Sequence, residues 1–169
     1  MLSNKLQSEL NNQLNNEFFS EFEYLSMAAY FHGMNLDGIA NYFHVQAQEE
    51  HFHAMKIFQF VLDKGGKVVL QQIAQPDVDF ASPVAVFEKA LAHEKKVTKS
   101  INDLMDVAIK ENDHAVNSFL KWYVDEQVEE EASASKALGK MELIGGKGEG
   151  LLMIDQEFAG RTFTPPPSE

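Results

Sequence analysis

The chain has no cysteine among its 169 residues. This excludes disulfides, thiolate zinc sites, iron–sulfur clusters and thiol nucleophiles together. Proline is scarce, with Pro76 and Pro83 ahead of a terminal run at 165–167, so most of the chain is open to long helices. No apolar run approaches the ~18 residues of a membrane span, and no membrane partner is expected. The start, Met1-Leu2-Ser3-Asn4-Lys5, lacks a basic segment followed by an apolar one. No signal peptide is therefore expected, and a cytoplasmic location is the default. Positive charge is also in deficit. Fourteen Lys and Arg face 26 Asp and Glu, and the net charge of -12 repels nucleic acid and attracts cations.

What is present suits one helical domain. Hydrophobic residues make up 44%, with 13 Phe and seven Met to fill a core. Ser3 can cap a first helix running to about Gly33, with an inner stripe of Leu6, Leu10, Leu14, Glu17, Glu21, Tyr24, Ala28 and Phe31. After the turn at Asn35, Asp37 is the expected cap of a second helix that ends near Lys64, before Gly65-Gly66. Residues 66–82 form a long connection, which a crossover between two parallel helices would explain. Ser82-Pro83 opens a third helix reaching about Glu111. The turn at Asn112-Asp113 caps a fourth, from about His114 to Ile144. The glycine-rich stretch 145–150 reads as a loop before a short fifth helix over about 151–159. The expected fold is all-α: a four-helix bundle with a long crossover between helices 2 and 3 and a short fifth C-terminal helix. One domain is expected over 1–160, followed by a flexible Pro-rich tail over 161–169.

The apolar stripes are broken by acids. In the second helix Phe43, Gln46, Glu50, His53, Ile57 and Phe60 share one face. Glu50-x-x-His53 there is either a metal-ligand pair or a buried Glu–His hydrogen bond. The other helices bear on that choice. Glu17 and His53 stand equally far from the turn at Asn35, and Glu94 and Glu130 equally far from the turn at Asn112. Antiparallel partners equidistant from a turn meet at one height. Glu17, Glu50, His53, Glu94, Gln127 and Glu130 should therefore converge in mid-bundle. Four ionised carboxylates cannot gather there alone, because repulsion would raise their pKa values and weaken the fold. Two divalent ions would cancel the charge, and mixed carboxylate and imidazole ligands suit iron or manganese, with zinc also possible.

Several motifs carry a resemblance over nearly the whole chain. They are Asn16-Glu17 with Tyr24, the run from Ala47 to His53, His93-Glu94, the run from Trp122 to Glu131, and Gly148-Glu149-Gly150-Leu151. Together they resemble the ferritin family, most closely the non-haem bacterial ferritins. The resemblance implies a ferroxidase and iron store that oxidises Fe(II) with O2 or H2O2 at a di-iron centre and deposits Fe(III) mineral in a hollow shell. Glu17, Glu50 and His53 would hold one iron. Glu50 would bridge to a second, held also by Glu94 and Glu130. Gln127 would sit beside the pair and position oxygen or water. Tyr24 would hydrogen-bond near the centre and donate an electron. Glu49, Glu126 and Glu129, sharing Glu130, match a third iron position, and a homo-oligomer of 24 copies is implied. No haem is expected: His51 stands where haem-binding relatives carry their ligating Met, and the second Glu-x-x-His is here Gln127-x-x-Glu130. Asn117 and Leu120 stand where animal ferritins place the acidic pair of a threefold channel, so no entry route carries over. His32, His44, His93 and His114 match no ligand pattern.

Overall fold

A computed structural model describes residues 1–165. The last four residues of the expected tail, 166–169, lie outside the described residues. Five helices follow one another: α1 (Asn4–Gly33), α2 (Asp37–Asp63), α3 (Pro83–Lys110), α4 (His114–Ile144) and α5 (Gly148–Phe158). There is no strand among the described residues. The expected all-α bundle, with its crossover and short fifth helix, is the architecture found.

Local chemistry sets the boundaries. The Ser3 hydroxyl accepts from Leu6 N at 3.0 Å and starts α1. The Ser82 hydroxyl does the same for α3, accepting from Ala85 N at 3.2 Å with Pro83 in the first turn. Asp113 caps α4 by accepting from both Ala115 N and Val116 N. Asn35 and Asn112, the hinges of the two hairpins, both adopt φ of +57°, a left-handed turn that asparagine tolerates.

Residues 64–82 run without helix or strand between α2 and α3. Buried Asn11 of α1 accepts from Val69 N at 2.6 Å and donates to the Lys67 carbonyl at 3.0 Å. Gln7 accepts from Lys67 N, and Ser26 donates to the Asp77 carbonyl. Side chains of α1 thus satisfy backbone groups that have no ladder of their own. The crossover climbs from Asn11 to Ser26 along α1, so α3 starts at the end of the bundle where α2 started and runs parallel to it.

Three local expectations are corrected. Asp37 does not cap α2; it lies in the first turn, with its carboxylate 2.8 Å from His32 Nδ1. The acceptor comes from α5, where Asp155 Oδ1 takes Ile39 N at 2.9 Å. A residue distant in sequence has replaced the local cap. The fifth helix begins at Gly148, three residues before the expected start. Gly148 takes a φ of +69° at that start, and a Cβ on Gly150 would stand 2.9 Å from Ile144 Cβ. The glycines therefore permit a tight α4–α5 turn rather than a loose loop. Glu21 is not on the inner stripe of α1: it is half-buried against His51, at 3.0 Å, while Ser20 takes the inward position. At 3.6 residues per turn, positions 20 and 21 lie equally far, about 50°, to either side of the face defined by 17 and 24, and it is the contact of Ser20 Oγ with His93 Nε2, at 2.7 Å, that marks position 20 as the inward one.

The packed interior falls into two apolar halves. One gathers Phe31, Phe43, Phe87, Tyr42 and Phe158 with residues of α4 and α5. The other gathers Leu6, Leu10, Leu14, Ile57, Ile101, Leu120 and Tyr123. Glu17, Glu50, His53, Glu94, Gln127 and Glu130, all buried, belong to neither half.

Candidate metal centre

Each of the four long helices, α1 to α4, contributes to this polar set from its middle. Glu17 comes from α1, Glu50 and His53 from consecutive turns of α2, Glu94 from α3, and Gln127 and Glu130 from α4. All six are nine-tenths or more buried. Ligand atoms of Glu17, Glu50 and His53 lie within 4.8 Å of one another, and His53 Nδ1 is 3.5 Å from Glu50 Oε2. A second group, His53, Glu126 and Glu130, is equally close. His53 belongs to both.

Glu94 joins the centre through hydrogen bonds. The Tyr24 hydroxyl donates to its Oε1, and Gln127 Nε2 donates to its Oε2 at 3.2 Å. Gln127 also reaches the Glu94 carbonyl and Thr98 Oγ1. Of the remaining sequence candidates, Glu49 is half-buried with Oε2 2.8 Å from Arg161, Glu126 is half-buried, and Glu129 is exposed and in neither group.

Two glutamines escaped the reading of the sequence as contributors. Gln13 Nε2 donates to Glu17 Oε1 at 2.8 Å, and Gln46 Nε2 donates to Glu130 Oε2 at 2.9 Å. Each stands four positions before an inward glutamate, Glu17 and Glu50, and that spacing was the available signal. Glu23 was missed too, while His93, expected at the surface or behind the ligands, is buried beside them. His93 Nε2 lies 2.7 Å from Ser20 Oγ and its Nδ1 2.8 Å from Glu23 Oε2, while Glu23 Oε1 is 2.8 Å from Lys89 Nζ. Lys89 and His93 are one turn apart on α3, both facing α1. Burial raises the Glu23 carboxyl, but these two partners outweigh it and leave its pKa below the usual value.

The electrostatics of the centre run the other way. Burial, then the carboxylates of Glu94, Glu17 and Glu130, push the Glu50 carboxyl far above its ordinary range. Burial and then Glu130 push Glu94 up to about 7, against the pull of Tyr24 and Gln127. Burial and the same acids hold the Tyr24 phenol well above its usual value, so it remains a donor. Among the described residues three side-chain polar atoms are buried without a partner: Glu17 Oε2, Glu50 Oε2 and Gln46 Oε1. A buried carboxylate oxygen without a donor costs about 1–3 kcal/mol or more, so this arrangement is stable only with protons or cations. Two orphaned oxygens beside an imidazole are a donor set that fits a divalent transition metal.

A family model, the ferritin-like domain, matches residues 7–144. A bacterial non-heme ferritin of Staphylococcus aureus strain MRSA252 is 37% identical over 163 residues, covering 96% of this chain and 98% of that relative. One from Staphylococcus epidermidis is 39% identical over 163 residues, with the same coverage. Among solved structures, an open-pore ferritin from the hyperthermophilic archaeon Archaeoglobus fulgidus superposes with a TM-score of 0.94 at 46% identity, covering 96% of this chain and 100% of that one. A humanized archaeal ferritin superposes at 0.96 with 48% identity, covering 98% and 100%. Among the described residues no helix is long and apolar enough to cross a membrane. A family match over most of the chain, close agreement of the backbone with solved ferritins and a mid-bundle layer of carboxylates place this chain in the ferritin family.

Proposed function

We propose that this chain is a ferroxidase and an iron store, with Fe(II) as its substrate. The observation that carries the reading is the pair of orphaned oxygens, Glu17 Oε2 and Glu50 Oε2, buried in one cluster with His53. Glu17, Glu50 and His53 hold one Fe(II). Glu50 is shared with a second, held also by Glu94 and Glu130. The two ions together deliver two electrons to one oxidant molecule, O2 or H2O2. Bringing both electrons and the oxidant to one place is the main catalytic contribution of such a site.

The chain's own residues prepare that place. Tyr24 and Gln127 each donate to one oxygen of Glu94 and fix its carboxylate plane. Gln13 and Gln46 orient Glu17 and Glu130 in the same way. Protons held by Glu50 and Glu94 leave as Fe(II) arrives, so binding exchanges part of the incoming charge in a dry layer, and the ionised carboxylates balance the rest. Glu49, Glu126 and Glu129, with Glu130, form a third iron position on the way out. A shell of 24 copies, cytoplasmic in location, would collect the Fe(III) as mineral.

Replacing Glu50 by Ala tests the site. Rapid oxidation of Fe(II) in air, followed by absorbance of the ferric product, should be lost while the protein still assembles. An oxidation rate equal to that of the unaltered protein would remove Glu50 from the site.

A further inference from the structure

Arg161 is the chain's only arginine; its other thirteen cationic side chains are lysines. It follows α5, and its side chain turns back onto α2. Nη2 lies 2.8 Å from Glu49 Oε2. The guanidinium covers the Tyr42 ring at 4.6 Å, and Nη1 is 3.5 Å from the Tyr42 carbonyl. The backbone is pinned as well, since Asn41 Nδ2 donates to the Arg161 carbonyl at 2.9 Å and to the Phe158 carbonyl at 3.1 Å. The paired side chains are only 25% and 21% exposed, so this is not a drifting surface charge. Beside Glu49 stands the His53, Glu126 and Glu130 group, whose ligand atoms already lie within 4.8 Å of one another. Arginine keeps its charge at every working pH, stacks on aromatic rings and matches a carboxylate in shape, which lysine does not.

We infer that Arg161 is a tethered cation that holds Glu49 in place of a metal ion, and that Glu49 passes between Arg161 and iron as iron leaves the central pair. The inference rests on the reading of Glu49 as a third-position ligand. A divalent ion beside Glu126 and Glu130 draws Glu49 across only while it is present. When the ion moves on, the guanidinium is within reach to take the carboxylate back. The competition makes the third position weak, suited to transit rather than storage. Arg161 is thus a positioning residue, acting through Glu49 and not on the reacting atoms.

The test is a calorimetric titration of the metal-free assembled protein with Zn(II), which binds without redox chemistry. Arg161→Met should tighten the third equivalent by about tenfold, the worth of one charge-assisted hydrogen bond, and leave the first two unchanged. In a Glu49→Gln background the same substitution should give no gain. Equal third-site affinity with and without Arg161 would overturn the inference, and so would a gain that persists in Glu49→Gln. Failure of the unaltered protein to bind two tight equivalents would overturn the di-iron reading and, with it, this one. Crystals of the unaltered protein soaked in Zn(II) give a readout that needs no variant. Metal at the third position should be accompanied by Glu49 turned away from Arg161 and onto the metal, and an intact Arg161–Glu49 pair with Glu49 on the metal would contradict the exchange.

Discussion

The side-chain amide of Gln46, on α2, donates across the bundle to the carboxylate of Glu130, on α4, at 2.9 Å. The pair ties the two hairpins together at the height of the carboxylate layer, between the two apolar halves of the core. Its carbonyl oxygen is buried without a partner, so the residue is placed for Glu130 and not for its own satisfaction.

Gln46→Leu should therefore weaken the metal-free protein by about 1–2 kcal/mol, the usual cost of leaving a buried acceptor without its donor. Calorimetric melting reads the loss. With Zn(II) bound the deficit should shrink, because the metal then supports the Glu130 carboxylate. A deficit of the same size in both states would mean that Gln46 matters for packing alone.

The raised carboxyls set a pH dependence whose sign is fixed. An unfolded glutamate ionises near about pH 4.3. Folded and metal-free, Glu94 holds its proton up to about 7, and Glu50 is held well above its usual value, in both cases first by burial. The stabilisation is full below the unfolded pKa and is lost as pH rises through the folded one. The melting temperature of the metal-free protein should fall between about pH 5 and about pH 8, and Glu94→Gln should flatten that fall. Parallel slopes in variant and parent would exclude Glu94 as a source. Zn(II) uptake in the same window should release protons, which calorimetry in two buffers of different ionisation enthalpy would count.

Much of this centre was legible in the chain because hairpin geometry is simple. Glu17 and His53 flank Asn35 at equal distance, Glu94 and Glu130 flank Asn112, and straight helices carry that symmetry into space. Capping by Ser3, Ser82 and Asp113 was legible too, since each acts on a backbone donor two or three residues away. What stayed hidden depends on contacts between distant segments. Asp155 capping Ile39 and Arg161 holding Glu49 each join positions more than a hundred residues apart. The Ser20–His93–Glu23–Lys89 chain is hidden for the same reason, because no period along α1 announces which α3 side chain will face it.

Gly38 marks one of these distant contacts. A Cβ there would stand 1.7 Å from the Asp155 carbonyl oxygen, a backbone atom that cannot swing aside. Gly38→Ala should push α5 off the start of α2, lose the Asp155 cap and cost about 1–3 kcal/mol. The central site lies more than three turns further along α2, about 18 Å away, so the two tight Zn(II) equivalents should survive. Melting and calorimetry together read this. An unchanged melting temperature would show that α5 does not seat against α2 as described.

Tyr24→Phe deletes the hydroxyl that donates to Glu94 and leaves the ring packed on Phe43, at 6.0 Å. The packing is kept with the volume, but a buried Glu94 oxygen loses its donor, so the metal-free protein should weaken by about 1–2 kcal/mol. Glu94 would lose one of two donors fixing its carboxylate, and Fe(II) oxidation should slow by about tenfold without ceasing, in line with one buried hydrogen bond. Complete loss of oxidation would assign Tyr24 an electron-transfer role beyond positioning, and an unchanged rate would mean that Gln127 alone fixes Glu94.

The most direct measurement is iron loading followed by size. Metal-free protein receives a several-hundred-fold excess of Fe(II) per particle in air and is passed through a sizing column with protein and iron recorded together. The expected result is iron in the hundreds or more per particle, co-eluting with protein at a mass near 24 chains. Two or three irons per chain on a small oligomer would contradict the storage function, and would leave a di-iron enzyme without a shell.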